Sequence, residues 1–200
     1  FGPTGQVIIY KALYKNKGCV ITDMADATHI LSSDPSVLGS FHWFQAETPG
    51  AKLYPDAFGP VTTALAGNRY TVPDPGKTVM DLSTTATPNL TLEISGSDLG
   101  AAIHASAIVN AANKVTITVP SLNPNKIKLT FVPSTGQFTG SFTEPASIVG
   151  PVRSTTFRGT TWISNNVGSG VGNYLLPKRR VTTSSSSRLS GLISLTDPAP

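Results

Sequence analysis

Cysteine, charge and long apolar runs are all scarce in this sequence. Cys19 is the single cysteine among 200 residues, which excludes an intrachain disulfide and a cluster of thiolate metal ligands. Charged residues make up 13% of the chain, about half the usual share. No apolar run approaches the roughly 18 residues of a membrane-spanning helix, so we predict no transmembrane segment. The chain opens at Phe1 without Met, which suggests a processed segment.

The few charges are unevenly distributed along the chain. Residues 1–100 contain 6 basic and 9 acidic residues, a net charge of −3, whereas residues 101–200 contain 9 and 2, a net charge of +7. The basic half could bind an anionic polymer or, more simply, the acidic half of a neighbouring copy. The densest basic run, Lys178, Arg179 and Arg180 followed by Arg188, has no adjoining aromatic residue that could stack on bases. We therefore predict no nucleic-acid binding.

Apolar and polar residues alternate with a period of two in many short segments, which is typical of half-buried strands. The clearest examples are 115–119, 127–131 and 137–143. Further strands are predicted at 7–14, 20–22, 38–44, 69–72, 79–82, 90–94, 155–163, 173–176 and 189–195. The sequence thus predicts an all-β fold of about twelve short, mostly antiparallel strands in a sandwich or barrel-like arrangement. We expect one β-rich domain over 1–200, and a subdivision into packed subdomains, 1–82 and 89–200, stays open.

Residues 98–112 are the one segment that local propensity assigns ambiguously. They are rich in Ala and begin with a plausible helix cap at Asp98, which favours a helix. Their apolar residues are small, however, and do not form a clear apolar stripe along one face of a helix. This favours a strand at 103–109 that is connected by a turn to the strand at 115–119. The strand is our prediction and the helix is the alternative.

Candidate metal-binding residues are widely separated. The histidines, His29, His42 and His104, occur in no arrangement with metal-ligand spacing. Asp23, Asp26 and Asp34 loosely resemble a calcium loop but lack its central Gly and terminal Glu. We predict no metal site.

Candidate catalytic residues form no recognisable motif either. The carboxylates Asp56, Asp74, Asp81 and Glu93 cannot be paired from sequence. The glycine-rich run 168–172 matches neither a nucleophile elbow nor a phosphate-binding loop and is interpreted as a flexible turn between strands. We predict no catalytic and no cofactor-binding residues, and therefore no enzyme.

Large aromatic residues are expected to anchor the core. They are Tyr54, Phe58, Tyr70, Phe142, Phe157 and Trp162. A surface for carbohydrate stacking, built from Trp43, Tyr54 or Trp162, is the alternative.

Several sequence blocks occur in an order and at spacings that point to a known family. They are GSFHWF at 39–44, KLYPDAF at 52–58, GNRYTVP at 67–73, NKIKLT at 125–130, TGQFTGSF at 135–142, FRG at 157–159, GSGVGNYLL at 168–176 and SGLISL at 190–195. With these blocks the chain resembles an uncharacterised β-rich repeat domain of very large secreted or surface proteins from verrucomicrobial and related bacteria. It departs from that pattern at 101–112 and 145–151. The resemblance implies export, modular repetition and attachment to a cell surface or matrix, and supplies no catalytic residues.

The expected function is therefore that of a non-enzymatic structural or adhesive domain of an exported bacterial protein. It would act as a spacer or assembly subunit in a cell-surface or extracellular fibre or matrix, with copies of itself or neighbouring domains as partners. The apolar run 7–10 would pair within its own sheet or be donated to a neighbour. The alternative is a carbohydrate-binding module with a polysaccharide partner, and a hydrolase is a third, weaker hypothesis.

Overall fold

The computed structural model describes residues 6–22, 25–26, 36–51, 56–68, 70–145, 152–164, 167–177 and 188–198. These residues form fourteen strand segments and one short 3-10 turn. The predicted all-β, antiparallel fold is confirmed. The chain divides into two compact units, residues 1–69 and residues 70–200, which are described separately.

The first unit is a single antiparallel sheet. Its strand segments are β1 (Gln6–Val7), β2 (Tyr10–Leu13), β3 (Gly18–Thr22), β4 (Ala25–Asp26), β5 (Ser36–Gln45) and β6 (Phe58–Asn68). β1 pairs with β4 and β2 with β3, while β3 and β4 both pair along one edge of β5 and β6 pairs along the other. The six segments therefore form four rows, and the N-terminal row pairs within its own sheet.

The second unit is an eight-stranded antiparallel sheet. Its strands are β7 (Leu90–Gly96), β8 (Ile103–Val109), β9 (Val115–Val119), β10 (Lys128–Val132), β11 (Gln137–Thr143), β12 (Ser154–Ser164), β13 (Val167–Pro177) and β14 (Arg188–Thr196). They are ordered β10-β11-β12-β13-β14-β7-β8-β9. The two end strands, β9 and β10, lie close to each other, so the curled sheet is nearly barrel-shaped.

The core of the second unit lies inside the curled sheet. Alternate residues of each strand point inward and are buried, as in the pattern of Leu90, Leu92 and Ile94 on β7. Four aromatic residues form the centre of this core, in contact through their ring edges or faces: Phe138, Phe142, Phe157 and Tyr174. Each fully buried large side chain contributes about 1.5–3 kcal/mol, so this cluster is a main source of stability.

The ambiguous segment is a strand. Residues Ile103–Val109 form β8, with Ile103, Ala105, Ala107 and Val109 buried. Small alanines suit these inward positions because the large aromatic side chains occupy much of the interior. Tertiary packing has overridden the helical propensity of alanine here.

Two local predictions are wrong, and one strand was missed. Residues 79–82 form a buried turn, not a strand, in which the Thr78 hydroxyl accepts the N–H of Leu82 at 2.6 Å. Residues 70–72 are irregular, and Arg69 lies outside the described residues. The strand β6 was not predicted, because Gly59, Pro60 and small residues dominate its sequence.

Candidate functional site

A polar groove lies on the outer face of β10–β13. Its volume is about 690 Å³, within the usual range for ligand sites. Eleven residues line it: Thr130, Thr139, Gly140, Ser141, Thr155, Thr156, Phe157, Arg158, Asn173, Tyr174 and Leu175. The side chains of Phe157 and Tyr174 are buried in the core, and the other lining residues supply hydroxyl, amide and guanidinium groups to the groove.

The strand register places four of these side chains in one row. Thr130 lies opposite Thr139, Thr139 opposite Arg158, and Arg158 opposite Asn173. Alternate residues of the same strands are buried, so the four side chains share the outer face. Neighbouring strands are about 4.8 Å apart, and the row therefore spans about 14 Å.

A second row runs parallel to the first. Lys128 lies opposite Ser141, which lies opposite Thr156. Lys128 is exposed and adds a second positive charge to this face. Among the described residues that line the groove, none is acidic. The groove therefore combines hydrogen-bonding groups with a net positive charge.

The polar side chains of the row can form further hydrogen bonds. Within the described part of the chain, Thr130, Thr139, Arg158 and Asn173 form no side-chain hydrogen bond or ion pair. Asn89 shows the opposite behaviour, since its amide bonds the backbone of Ser83 and Val109 at 2.7–2.9 Å. The row is thus available to an external ligand.

A partly buried ion cluster joins two loops of the second unit, between β7 and β8 and between β11 and β12. Arg153 donates to Glu144 through Nε at 2.5 Å and through a terminal nitrogen at 2.6 Å, and to Asp98 at 3.1 Å. The hydrogen bonds to Glu144 raise the pKa of Arg153 above its ordinary value against the cost of burial, and the bond to Asp98 adds to this. Because Arg153 bonds both carboxylates, the cluster ties the two loops together, and its role is structural. No sequence motif distinguishes these three residues.

The histidines singled out in the sequence are not brought together. His42 on β5 lies with its Nδ1 3.0 Å from Thr62 Oγ1, whereas His104 on β8 lies 3.9 Å from Glu93. His29, Asp23 and Asp34 lie outside the described residues, and Asp26 is on β4. Across the described ranges, no three His, Cys, Asp or Glu residues form a group suited to a metal ion.

The candidate carboxylates are also dispersed. Asp81 pairs with Lys77 at 3.7 Å, and Glu93 faces His104. Asp56 belongs to the first unit, whereas Asp74 belongs to the second.

The glycine-rich run is part of a strand, so its interpretation as a flexible turn is wrong. It lies on β13, where Gly168, Gly170 and Gly172 point inward and are buried. A side chain at Gly172 would overlap the ring of Phe138. The run therefore serves close packing of neighbouring strands.

The predicted aromatic anchors divide between core and surface. Phe142 and Phe157 are in the core as predicted, and Tyr70 is half-buried with its hydroxyl donating to the Pro133 carbonyl at 2.5 Å. Trp43 and Phe58 pack edge to face with centroids 4.8 Å apart. Trp162 is half-buried. Tyr54 lies outside the described residues.

The first unit has an exposed apolar strip on one face of its sheet. Tyr10 lies opposite Ile21, and Phe44 lies opposite Cys19, which is two residues before Ile21 on β3. Tyr10, Ile21 and Phe44 therefore share one face of the sheet. Tyr10, Ile21 and Phe44 are 63%, 37% and 43% exposed. We call these three residues the Tyr10 strip. It borders β2, which within the described residues pairs on one side only.

Comparison of the chain with protein-family models, curated proteins and solved structures gave no match. Among the described residues, no helix has the length and apolar character needed to cross a membrane.

Proposed function

We propose that this chain is a non-enzymatic structural or adhesive domain of an exported bacterial protein, which assembles with copies of itself into a cell-surface or extracellular fibre or matrix. The observation that carries the proposal is the Tyr10 strip beside β2, whose outer edge is unpaired among the described residues. An open edge offers unpaired backbone groups to another strand, and exposed apolar side chains add buried area when two sheets meet.

The second unit supports the same function in a different way. Its sheet is curled until the end strands meet, and its core is filled by interlocking aromatic rings. Its ion cluster of Asp98, Glu144 and Arg153 ties two loops together. Such a unit suits a spacer that keeps its shape within an assembly.

Light scattering and electron microscopy of the purified 200-residue chain test the assembly. We expect the mass to rise from monomer to multiples as concentration increases from micromolar to millimolar. Tyr10→Lys should shift the chain to monomer, because a charge on an edge strand opposes pairing with another chain. Leu192→Lys is the matched control, since Leu192 is 48% exposed but lies on the interior strand β14. A parent chain that stays monomeric throughout would refute the proposal.

A carbohydrate-binding module is the second candidate function, and the polar groove favours it. The row of Thr130, Thr139, Arg158 and Asn173 offers donors and acceptors of the kind that bind sugar hydroxyls. A glycan array tests this second function, because a module should bind one class of polysaccharide whereas a domain that acts as a spacer alone should bind none.

A further inference from the structure

We infer that the groove on the outer face of β10–β13 binds a segment of an acidic polysaccharide, with Arg158 holding an anionic group of the sugar chain. The inference rests on the second candidate function and names its ligand class and its anchor residue. The anionic group is a carboxylate or a sulfate ester, since the guanidinium recognises both in the same way.

The charge of the groove selects an anion. A guanidinium offers paired N–H donors that match two oxygens of a carboxylate or sulfate. Arg158 is exposed and forms no ion pair within the described residues, so its charge is not already matched. Lys128 lies on the same face, and none of the described residues that line the groove is acidic. An anionic ligand therefore meets attraction from Arg158 and no repulsion from these lining residues.

The hydroxyl and amide groups beside Arg158 select a sugar chain. Thr139 and Asn173 flank Arg158 directly on the neighbouring strands, and Thr130 extends the row. These side chains both donate and accept hydrogen bonds, as sugar hydroxyls do. A row about 14 Å long offers contacts to a short oligosaccharide segment, not only to a single anionic group.

The composition of the groove argues against nucleic acid. Proteins that bind single strands stack bases on aromatic side chains. The two aromatic residues at this groove, Phe157 and Tyr174, are 3% and 2% exposed, so they offer no stacking surface. The residues that line the groove can thus attract the phosphates of a nucleic acid, but they offer no exposed aromatic ring on which its bases could stack.

Binding of the intact chain to four polymers tests the inference. The polymers are polygalacturonate, dextran sulfate, neutral dextran and single-stranded DNA, compared by affinity electrophoresis and calorimetry. We expect binding to polygalacturonate, dextran sulfate or both, and weaker binding to dextran and DNA. The first two polymers distinguish a carboxylate from a sulfate ligand.

Variants locate the site. Arg158→Gln should weaken binding on the order of tenfold or more, as expected for loss of a charge-assisted hydrogen bond. Lys114→Gln removes the same charge from an exposed turn outside the groove and should weaken binding less than about twofold. Thr139→Val removes one hydroxyl while keeping a β-branched strand residue, and should cause a smaller loss than Arg158→Gln. Thermal unfolding of each variant shows that the fold is kept.

Three results would overturn the inference. If the chain binds a neutral glycan and Arg158→Gln has no effect, the ligand class is wrong although the module function survives. If no glycan binds at all, the module function and the inference both fail. If DNA binds as tightly and Lys114→Gln weakens binding as much as Arg158→Gln, general attraction between charges explains the binding.

Discussion

The phenol ring of Tyr174 lies over Gly191, its direct partner on the neighbouring strand. A Cβ at Gly191 would overlap the ring of Tyr174. The Tyr174 hydroxyl lies 3.0 Å from the carbonyl oxygens of Ser95 and Gly96 and shares its proton between them. The hydroxyl end of the ring therefore occupies the space left by the absent side chain of Gly191 and is held there by hydrogen bonds to β7.

Gly191→Ala should destabilise the second unit by about 1–3 kcal/mol, the usual cost of overpacking a core. Urea unfolding followed by the fluorescence of Trp162, in a Trp43→Phe background, measures this unit. Gly170→Ala is the control: its added Cβ would lie 3.2 Å from the side chains of Leu195 and Thr161, so the loss should be smaller. Equal unfolding midpoints for Gly191→Ala and the parent would show that the ring moves aside freely.

The Tyr174 hydroxyl should make stability depend on pH in alkaline solution. Burial, followed by the negative charges of Asp98 and Glu144, raises the pKa of Tyr174 to about 12. This pKa exceeds the ordinary value of about 10 for an unfolded chain. The stability that the protonated Tyr174 hydroxyl contributes is therefore complete below pH 10 and is lost as pH rises towards 12. The parent should therefore lose more stability between pH 9 and pH 11.5 than Tyr174→Phe does, which parallel urea titrations would measure. Identical losses in the two proteins would contradict the assignment to Tyr174.

Glu144→Gln should destabilise the second unit by about 1.5–3 kcal/mol, because it removes the charge-assisted hydrogen bonds between the Glu144 carboxylate and Arg153. The Glu144 side chain is 2% exposed and bonds Arg153. Glu93→Gln is the matched control, since Glu93 is 43% exposed and lies 3.9 Å from His104. Its effect should be below about 1 kcal/mol. Comparable losses for the two variants, by urea unfolding, would refute a structural role specific to the cluster of Asp98, Glu144 and Arg153.

Asn89→Ala should cost about 2–4 kcal/mol, because the Asn89 amide bonds three backbone groups and its loss leaves the N–H and carbonyl of Val109 unpaired. Differential scanning calorimetry would record the loss as a lower midpoint temperature. Asn173→Ala offers the same chemical change at an exposed position without side-chain hydrogen bonds inside the described chain. We expect a change within about 0.5 kcal/mol there. A larger loss for Asn173→Ala than for Asn89→Ala would contradict this assignment.

Local alternation was sufficient to predict several strands and their inward faces. In Val115–Val119 and Gln137–Thr143 the apolar residues repeat every second position, and the structure has strands there. The same reasoning failed at Val79 and Leu82, because apolar residues are also buried in a turn that packs against the core. It missed β6 because glycine, proline and alanine carry little strand signal.

The groove could not be predicted from the sequence. Thr130, Thr139, Arg158 and Asn173 are spread over four strands, and each residue alone is an ordinary exposed strand position. They form a row only because β10 to β13 are consecutive in the sheet and paired in one register. The cluster of Asp98, Glu144 and Arg153 was missed for the same reason, since its members come from two separate loops.

The amino-acid sequence by itself determined that this chain is built of short antiparallel strands, because period-two alternation and turn residues act within a few positions of the chain. Only the tertiary structure decided that eight strands curl until β9 meets β10, and which polar residues share the outer face of β10–β13. Strand order and register depend on contacts between distant residues, and no local pattern encodes them.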